Sequence, residues 1–398
     1  MLRSSAVDRS QATRMHRPSV SYDMWLIGVI LLLTCLGLIM VTSSSITIAD
    51  RIYGDPLYYF WRQSLASVIG LSLGVMIIRL PLSVWQTLSV PAMIAGIFML
   101  VLVLIPGVGR EINGSMRWIE IGKFSFQGSE PIKICVVAYL AGYMVRHGEK
   151  LRESFAGFIS PVGVVILVAA LLLLEPDYGT TVVLFLTALG MLFMGGVPLG
   201  RFFAWMLAAV AMLGSLAIIS PYRMQRLTSF MDPWQDPFNS GFQLTQALIA
   251  FGRGEWLGVG LGSSVQKLFY LPESHTDFVF SVFAEEFGLV GSILVILLYL
   301  LIVWRSFIIA QYAMQMEKLF AAYMAYGIGL IIGVQAFINL GVNMGLLPTK
   351  GLTLPLMSYG GNSMVISFIL LAALVRIEYE NHQVRNQGAP AAMVDYVG

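Results

Sequence analysis

Charge and cysteine are both scarce in this sequence. Charged residues make up 12% of its 398 positions, about half the roughly 25% of a soluble domain. So few charges cannot clothe a water-soluble globule. The two cysteines, Cys35 and Cys135, both lie in apolar runs. They form no disulfide framework and no zinc-spaced set, and they read as small apolar packing residues. Walker loops, dinucleotide fingerprints and spaced His/Cys clusters are missing, so chemistry powered by nucleotide is not expected. No repeat of fixed period and no appended soluble domain is visible. The net charge of +2 decides nothing by itself, and nucleic acid is not expected as a partner.

Apolar residues fill the space that charge leaves. They account for 57% of the chain, with a mean hydropathy of +0.79. Runs of about 20 recur throughout, each able to cross a bilayer core of about 30 Å as a helix. Ten spans are read, at 24–44, 61–80, 84–105, 128–146, 155–174, 178–196, 198–220, 277–303, 318–342 and 353–376. The expected fold is all-α: a polytopic membrane protein with about ten transmembrane helices and a long extracytoplasmic loop between helices 7 and 8. Residues 1–23 are expected as a basic cytoplasmic tail, 24–376 as the membrane domain with its loop at 221–276, and 377–398 as a cytoplasmic C-terminal tail.

The distribution of basic residues orients the chain. Arg3, Arg9, Arg14 and Arg17 precede the first span, and Arg146, Lys150, Arg152, Arg305, Lys318, Arg376 and Arg385 fall on the same side. The positive-inside rule makes that side cytoplasmic and puts both termini there. The first span then reads as a retained signal anchor. Segments 106–127, 175–177 and 221–276 lie outside. Arg223, Arg226, Arg253 and Lys267 stay on that outer face against the rule. They suit an anionic ligand or lipid headgroups equally.

Polar residues within or against the spans mark the interior. The run Leu271-Pro272-Glu273-Ser274-His275-Thr276-Asp277 leads directly into the eighth span. A carboxylate forced to the bilayer centre costs roughly 2.5–3.5 kcal/mol, so it is solvated, paired or used. Asp277, Ser281, Ala284, Glu285 and Gly288 recur at helical spacing, as do Gln335, Asn339 and Asn343 in the ninth span. Such stripes face a bundle interior or a wet cavity, or simply hydrogen-bond helix to helix. Glu285 reads as a buried structural acid, and Glu286 is assigned no role. Gly70 with Gly74, and Gly329 with Gly333, have the spacing of close helix packing.

Several stretches together carry a resemblance. They are Arg117-Trp118-Ile119, Glu175-Pro176-Asp177-Tyr178-Gly179-Thr180, Leu271 to Phe278, and Pro348-Thr349-Lys350-Gly351-Leu352-Thr353-Leu354-Pro355-Leu356-Met357-Ser358-Tyr359-Gly360-Gly361. From about Tyr22 to Glu380 the chain resembles the SEDS family of bacterial cell-wall proteins. The segments Phe251-Gly252-Arg253-Gly254-Glu255 and Ser264-Val265-Gln266-Lys267 look like its division branch rather than its elongation branch. The resemblance implies a peptidoglycan glycosyltransferase that polymerises lipid II, extending the glycan strand at the outer face of the inner membrane. It also implies a class B penicillin-binding partner, an FtsI-type transpeptidase, with other division proteins at the septum. The family's essential aspartate maps onto Asp277. Two departures are visible: Gln127-Gly128-Ser129-Glu130-Pro131 replaces the usual Gln-Pro-Ser-Glu, and Glu175 stands where glutamine is usual. Glu130 and Lys133 are retained, and the extra carboxylate of Glu175 bears on the protonation of Asp177.

The chemistry can be reasoned from the reaction itself. A β-1,4 link made from an α-linked sugar diphospho-lipid inverts the anomeric carbon. One displacement needs a base for the attacking 4-hydroxyl and positive charge for the departing diphosphate. Asp277 at the membrane boundary is the preferred base, and partial desolvation there would strengthen it. Lys350, Lys267, Arg253 and Arg117 are candidates for the diphosphate. Glu130, Lys133, Asp177, Glu273, His275 and Ser358 are further candidates for substrate contact. For several of these a plain structural reading stands beside the functional one. Asp177 opens the sixth helix, His275 caps or orients the loop, and Glu273 precedes the helix as a solvated acid. No cofactor is called for with certainty; a divalent cation, Mg2+ or Mn2+, is left open. A lipid II flippase and a non-catalytic division scaffold remain as alternatives.

Overall fold

The computed structural model describes residues 22–388 apart from 113, 114, 123, 220–223, 225–227, 269, 349 and 350. Arg3, Arg9, Arg14 and Arg17, and also Arg223, Arg226 and Lys350, therefore lie outside the described residues. Helices occupy all ten expected spans: α1 (Met24–Tyr53), α2 (Tyr58–Arg79), α3 (Leu82–Val103), α4 (Pro131–Glu153), α5 (Phe155–Leu174), α6 (Tyr178–Met194), α7 (Leu199–Ile219), α9 (Val279–Gln315), α10 (Leu319–Asn343) and α11 (Gly361–Gly388). A shorter helix, α8 (Phe242–Gly254), lies within the long loop. Among the described residues, seven helices, α1, α2, α3, α5, α9, α10 and α11, are long and apolar enough alone to cross a membrane. The protein is a multi-pass membrane protein whose spans are helices.

α10 is the central post. It is buried along nearly its whole length and packs against α4, α6 and α9, while α11 pairs with α2. Glycines set these crossings. A Cβ on Gly70 would come within 2.6 Å of the Phe368 ring, and one on Gly333 within 2.7 Å of Val303. Only the missing side chains let α2 meet α11, and α10 meet α9, at those separations.

Four details differ from the sequence reading. The segment at 106–127, expected outside, is not plain loop: β1 (Gly109–Ile112), β2 (Ser115–Ile121) and β3 (Phe124–Gln127) form an antiparallel sheet in the order β1-β2-β3. The Val, Ile and Phe pattern there is short, and the long apolar runs on either side mask it.

The last span begins at Gly361 rather than 353. Pro355 cannot continue a hydrogen-bonded helix, and residues 351–360 instead form a loop whose Leu352, Leu354, Leu356 and Met357 are buried.

α9 is broken at Gly288, whose φ of 67° and ψ of −164° are not helical. Residues 279–286 are buried throughout, whereas Leu289 and Val290 open an exposed apolar face. The crossing segment is therefore 289–315, about 40 Å long at 1.5 Å per residue, and the short helix before it lies inside protein.

Finally, Cys35 is exposed on α1 while Cys135 is half-buried, so only the second is a packing residue.

Candidate functional site

Asp277 is held by its backbone. Its carbonyl accepts hydrogen bonds from the Asn339 amide at 3.0 Å and the Asn343 amide at 2.9 Å. The Asn343 carbonyl oxygen accepts in turn from the Ser281 N–H (3.0 Å) and hydroxyl (2.7 Å), one turn into α9. The polar stripe of α10 is thus a clasp on the start of α9. It also grips the neighbouring loop. Asn339 donates to the Leu352 carbonyl (2.5 Å), and Gln335 to the Thr353 carbonyl (2.9 Å). Irregular backbone at this depth needs such partners, because an unpaired buried amide or carbonyl costs several kcal/mol in lipid.

The loop at 351–360 begins beside the carboxylate. A Cβ on Gly351 would stand 3.2 Å from Asp277 Oδ2, so the glycine makes the close approach possible. A Cβ on Gly179, in the first turn of α6, would meet Leu352 at 2.7 Å and the Gly351 carbonyl at 3.3 Å. The start of α6 therefore joins the same place. Ser358 is buried inside this loop; its Oγ accepts from the Leu354 N–H (2.8 Å), and its carbonyl accepts from Gln63 (3.0 Å). Its hydroxyl is spent on loop geometry, and Gln63, deep in α2, also accepts from the Gly360 N–H at 3.2 Å.

On the α6 side, Asp177 caps the helix, accepting from the Thr180 N–H (3.1 Å) and hydroxyl (3.0 Å). Arg117 reaches across from β2 and donates to the carbonyls of Glu175 (3.0 Å) and Pro176 (2.5 Å). The Glu175 side chain is fully buried and neither carboxylate oxygen has a hydrogen-bond partner. Burial pushes its pKa up to about 8, with the Asp177 charge adding to the rise and Arg117 opposing it.

Glu130 and Lys133 form a buried pair at 2.9 Å at the start of α4, and the Lys133 ammonium also donates to Gln335 at 2.9 Å. They support the α10 clasp from behind.

His275 lies two residues before Asp277. Its ring contacts Tyr59 (centroids 4.5 Å) and Tyr359 (5.7 Å), and its carbonyl accepts from the Tyr359 N–H at 2.9 Å. Burial lowers its pKa, against the pull of Glu273, so the ring is neutral near pH 7. Its Nδ1 is buried and unpartnered. Glu273 is exposed and accepts from the Thr276 hydroxyl at 2.6 Å, closing the turn that delivers Asp277.

Two of the expected diphosphate contacts point elsewhere. Lys267 is buried, and its ammonium donates to Glu286 at 2.7 Å and Ser43 at 2.9 Å. Arg253 pairs with Glu285 at 2.9 Å, while Glu285 also accepts from the Ser264 hydroxyl and from the Val265 N–H at 3.1 Å. Glu285 is indeed a buried structural acid, and Glu286, given no role from sequence, anchors the long loop to α1. Both cations serve to fasten the loop 255–267 onto the short buried helix of α9.

The site thus gathers Asp277, the loop 351–360 and the start of α6 at one end of the bundle, with Arg117, Glu130 and Lys133 as its supports. Lys350 is outside the described residues. Among the described residues no group of three or more His, Cys, Asp or Glu could hold a metal ion.

Fold and site together define a class: a polytopic helical membrane protein presenting a clamped aspartate where inserted loops meet the helix ends. Within that class the chain belongs to the FtsW/RodA/SpoVE family of cell cycle proteins, whose model matches residues 23–383. It is 53% identical to the probable peptidoglycan glycosyltransferase FtsW of Nitrosococcus halophilus over 358 residues, covering 90% of this chain and 92% of that one. Solved structures agree. A chain from a peptidoglycan synthase complex that coordinates polymerization and crosslinking is 30% identical, with a TM-score of 0.74 over 91% of this chain and 99% of that one. The rod shape determining protein RodA of Thermus thermophilus is 27% identical, with a TM-score of 0.67 over 91% and 98%.

Proposed function

We propose that this protein polymerises lipid II into β-1,4 glycan strands at the outer face of the cytoplasmic membrane during division, with Asp277 as the general base. It is a peptidoglycan glycosyltransferase, as its relatives are named over nine-tenths of the chain. The observation that carries the assignment of the base is the clamp on Asp277. Its carbonyl is fixed by Asn339 and Asn343, and the backbone of Gly351 packs closely against its carboxylate. A base held on rigid backbone meets its substrate without paying to order itself.

In the reaction, the Asp277 carboxylate takes the proton of the acceptor 4-hydroxyl. That oxygen forms a bond to the anomeric carbon of the donor, and the carbon–oxygen bond to the diphosphate breaks. The configuration inverts, and the lipid diphosphate departs with the electron pair. Positive charge for the leaving group is assigned to Lys350, which adjoins Gly351 in sequence, and to Arg117. Lys267 is left out of that role because it is paired inside the protein. A divalent cation, Mg2+ or Mn2+, would share the charge of the diphosphate if one accompanies it.

The same reading places both termini in the cytoplasm and the protein in the inner membrane at the septum, beside a class B penicillin-binding transpeptidase. The positive-inside pattern supports the orientation. The structural relative from a synthase complex supports a partnered enzyme.

The test is glycan polymerisation by the purified protein with its partner, wild type against Asp277→Asn. Loss of a general base costs about 10²- to 10⁴-fold in rate. The complex should still assemble at wild-type yield. Glycan strands made at the normal rate by the variant would refute the assignment.

A further inference from the structure

At the break in α9, residues 255–260 lie against the helix as a ladder. The Val259 N–H donates to the Glu285 carbonyl (2.9 Å) and the Gly260 N–H to the Glu286 carbonyl (3.1 Å). In return, the Leu289 and Val290 N–H groups, freed by the break, donate to the carbonyls of Glu255 (2.9 Å) and Trp256 (3.1 Å). The segment thereby satisfies backbone groups that would otherwise need water, which is the condition for irregular backbone at a membrane.

Its side chains are apolar and uncovered. Trp256, Leu257 and Leu261 are 70%, 78% and 57% exposed. The ladder sets Trp256 beside Val290, and Val290, Leu294 and Leu297 continue as an exposed stripe along α9. Spacings of four and three put those residues on one helix face. On a span that crosses the bilayer, an exposed apolar face is the lipid face. The loop cluster extends that face outward. Exposed Glu255 limits how deep the segment sits, and the interface is where tryptophan is enriched.

We infer that segment 255–261 is a membrane-interface anchor. Trp256, Leu257 and Leu261 enter the leaflet on the long-loop side at headgroup depth, and their partner is the lipid bilayer itself. The anchor holds at fixed height the loop that Arg253–Glu285 and Lys267–Glu286 tie to the short helix after Asp277. Continuity with the lipid face of α9 favours lipid over a protein partner on this patch.

The test uses the full-length chain in lipid nanodiscs, with Cys35→Ala and Cys135→Ala, and one reporter cysteine carrying a small fluorophore. Leu257→Cys is compared with Asn239→Cys, exposed in the same loop, and Leu294→Cys on the lipid face of α9. Leu261→Cys supplies the same reading where yield at position 257 is low. The label at 257 should be quenched more by lipids spin-labelled near the headgroup than by lipids labelled at the chain end. Aqueous iodide should quench it several-fold less than the label at 239. Iodide quenching equal to that at 239, with no effect of either lipid, overturns the inference. Protection that appears only when a second protein binds also overturns it and makes the patch a protein-docking face.

Discussion

Replacing Glu175 by glutamine should stabilise the protein, and by an amount that depends on pH. The carboxyl is fully buried with no hydrogen-bond partner on either oxygen, and its pKa is raised from 4.5 to about 8. Below pH 4.5 the folded and unfolded chains both hold the proton, and burial of this group carries no ionisation penalty. Between 4.5 and 8 the unfolded chain releases the proton while the folded one retains it, so stability falls as pH rises. Above 8 the penalty is complete. At pH 7 the difference spans about 2.5 pH units, worth at most about 3 kcal/mol at 1.36 kcal/mol per unit. Glutamine matches the neutral carboxyl in size and buries a similar polar load, so the substitution isolates the ionisation. The assay is thermal unfolding of purified protein in detergent across pH 5 to 9, wild type against Glu175→Gln. The two melting temperatures should converge near pH 5 and separate steadily toward pH 8, with the variant higher. A shift that does not change with pH, or a variant that melts lower at pH 7, would refute the reasoning.

Two further substitutions address the clasp and the loop anchor. Asn343→Ala removes the donor to the Asp277 carbonyl and the acceptor for Ser281; it should cost about 1–3 kcal/mol of stability through the groups left unpaired. It should also lower polymerisation more than tenfold while lipid II binding is retained, and unchanged polymerisation would show that the clamp does not position the base. Lys267→Met strands Glu286 as a buried charge and should cost about 3–5 kcal/mol, whereas Lys267→Met with Glu286→Leu should recover most of that loss. Denaturation of the three proteins side by side checks this, and a single variant as stable as wild type would mean the pair is not buried as described.

The helices were legible because membrane spans obey one dominant rule: about twenty apolar residues cross the bilayer. That rule says nothing where the backbone leaves the helix. Gly288 breaks α9 just after Glu285 and Glu286, but apolar residues flank the pair on both sides, so the stretch still reads as one span. The loop 351–360 read as the start of a span because its leucines are buried too, against protein rather than lipid. Asp277 stood out as a costly charge at a span mouth. Its supports did not: Gln63 stands between Arg62 and Ser64 near the start of α2, and nothing local tells that it holds residues 358 and 360, nearly three hundred positions away. The motif cations were visible as residue types, but only packing reveals that Lys267 faces Glu286 and Arg253 faces Glu285.

The polar residues of this bundle follow from the demands of its inserted loops. Each loop that leaves helical geometry inside the protein presents N–H and C=O groups that lipid cannot satisfy. Gln63 and Ser358 answer for the turn at 354–360, Asn339 and Gln335 for residues 352 and 353, and Asn343 with Asn339 for Asp277. The Glu285 carboxylate does the same for the long loop, accepting from the Val265 and Gln266 N–H groups while Arg253 neutralises its charge. Glu175 departs from this pattern: it is buried, its oxygens lack partners, and it sits at the turn capped by Asp177. Burial keeps a carboxyl there neutral near pH 7. Its ionisation above pH 8 would put a second negative charge beside Asp177, at the end of the bundle that also carries Asp277.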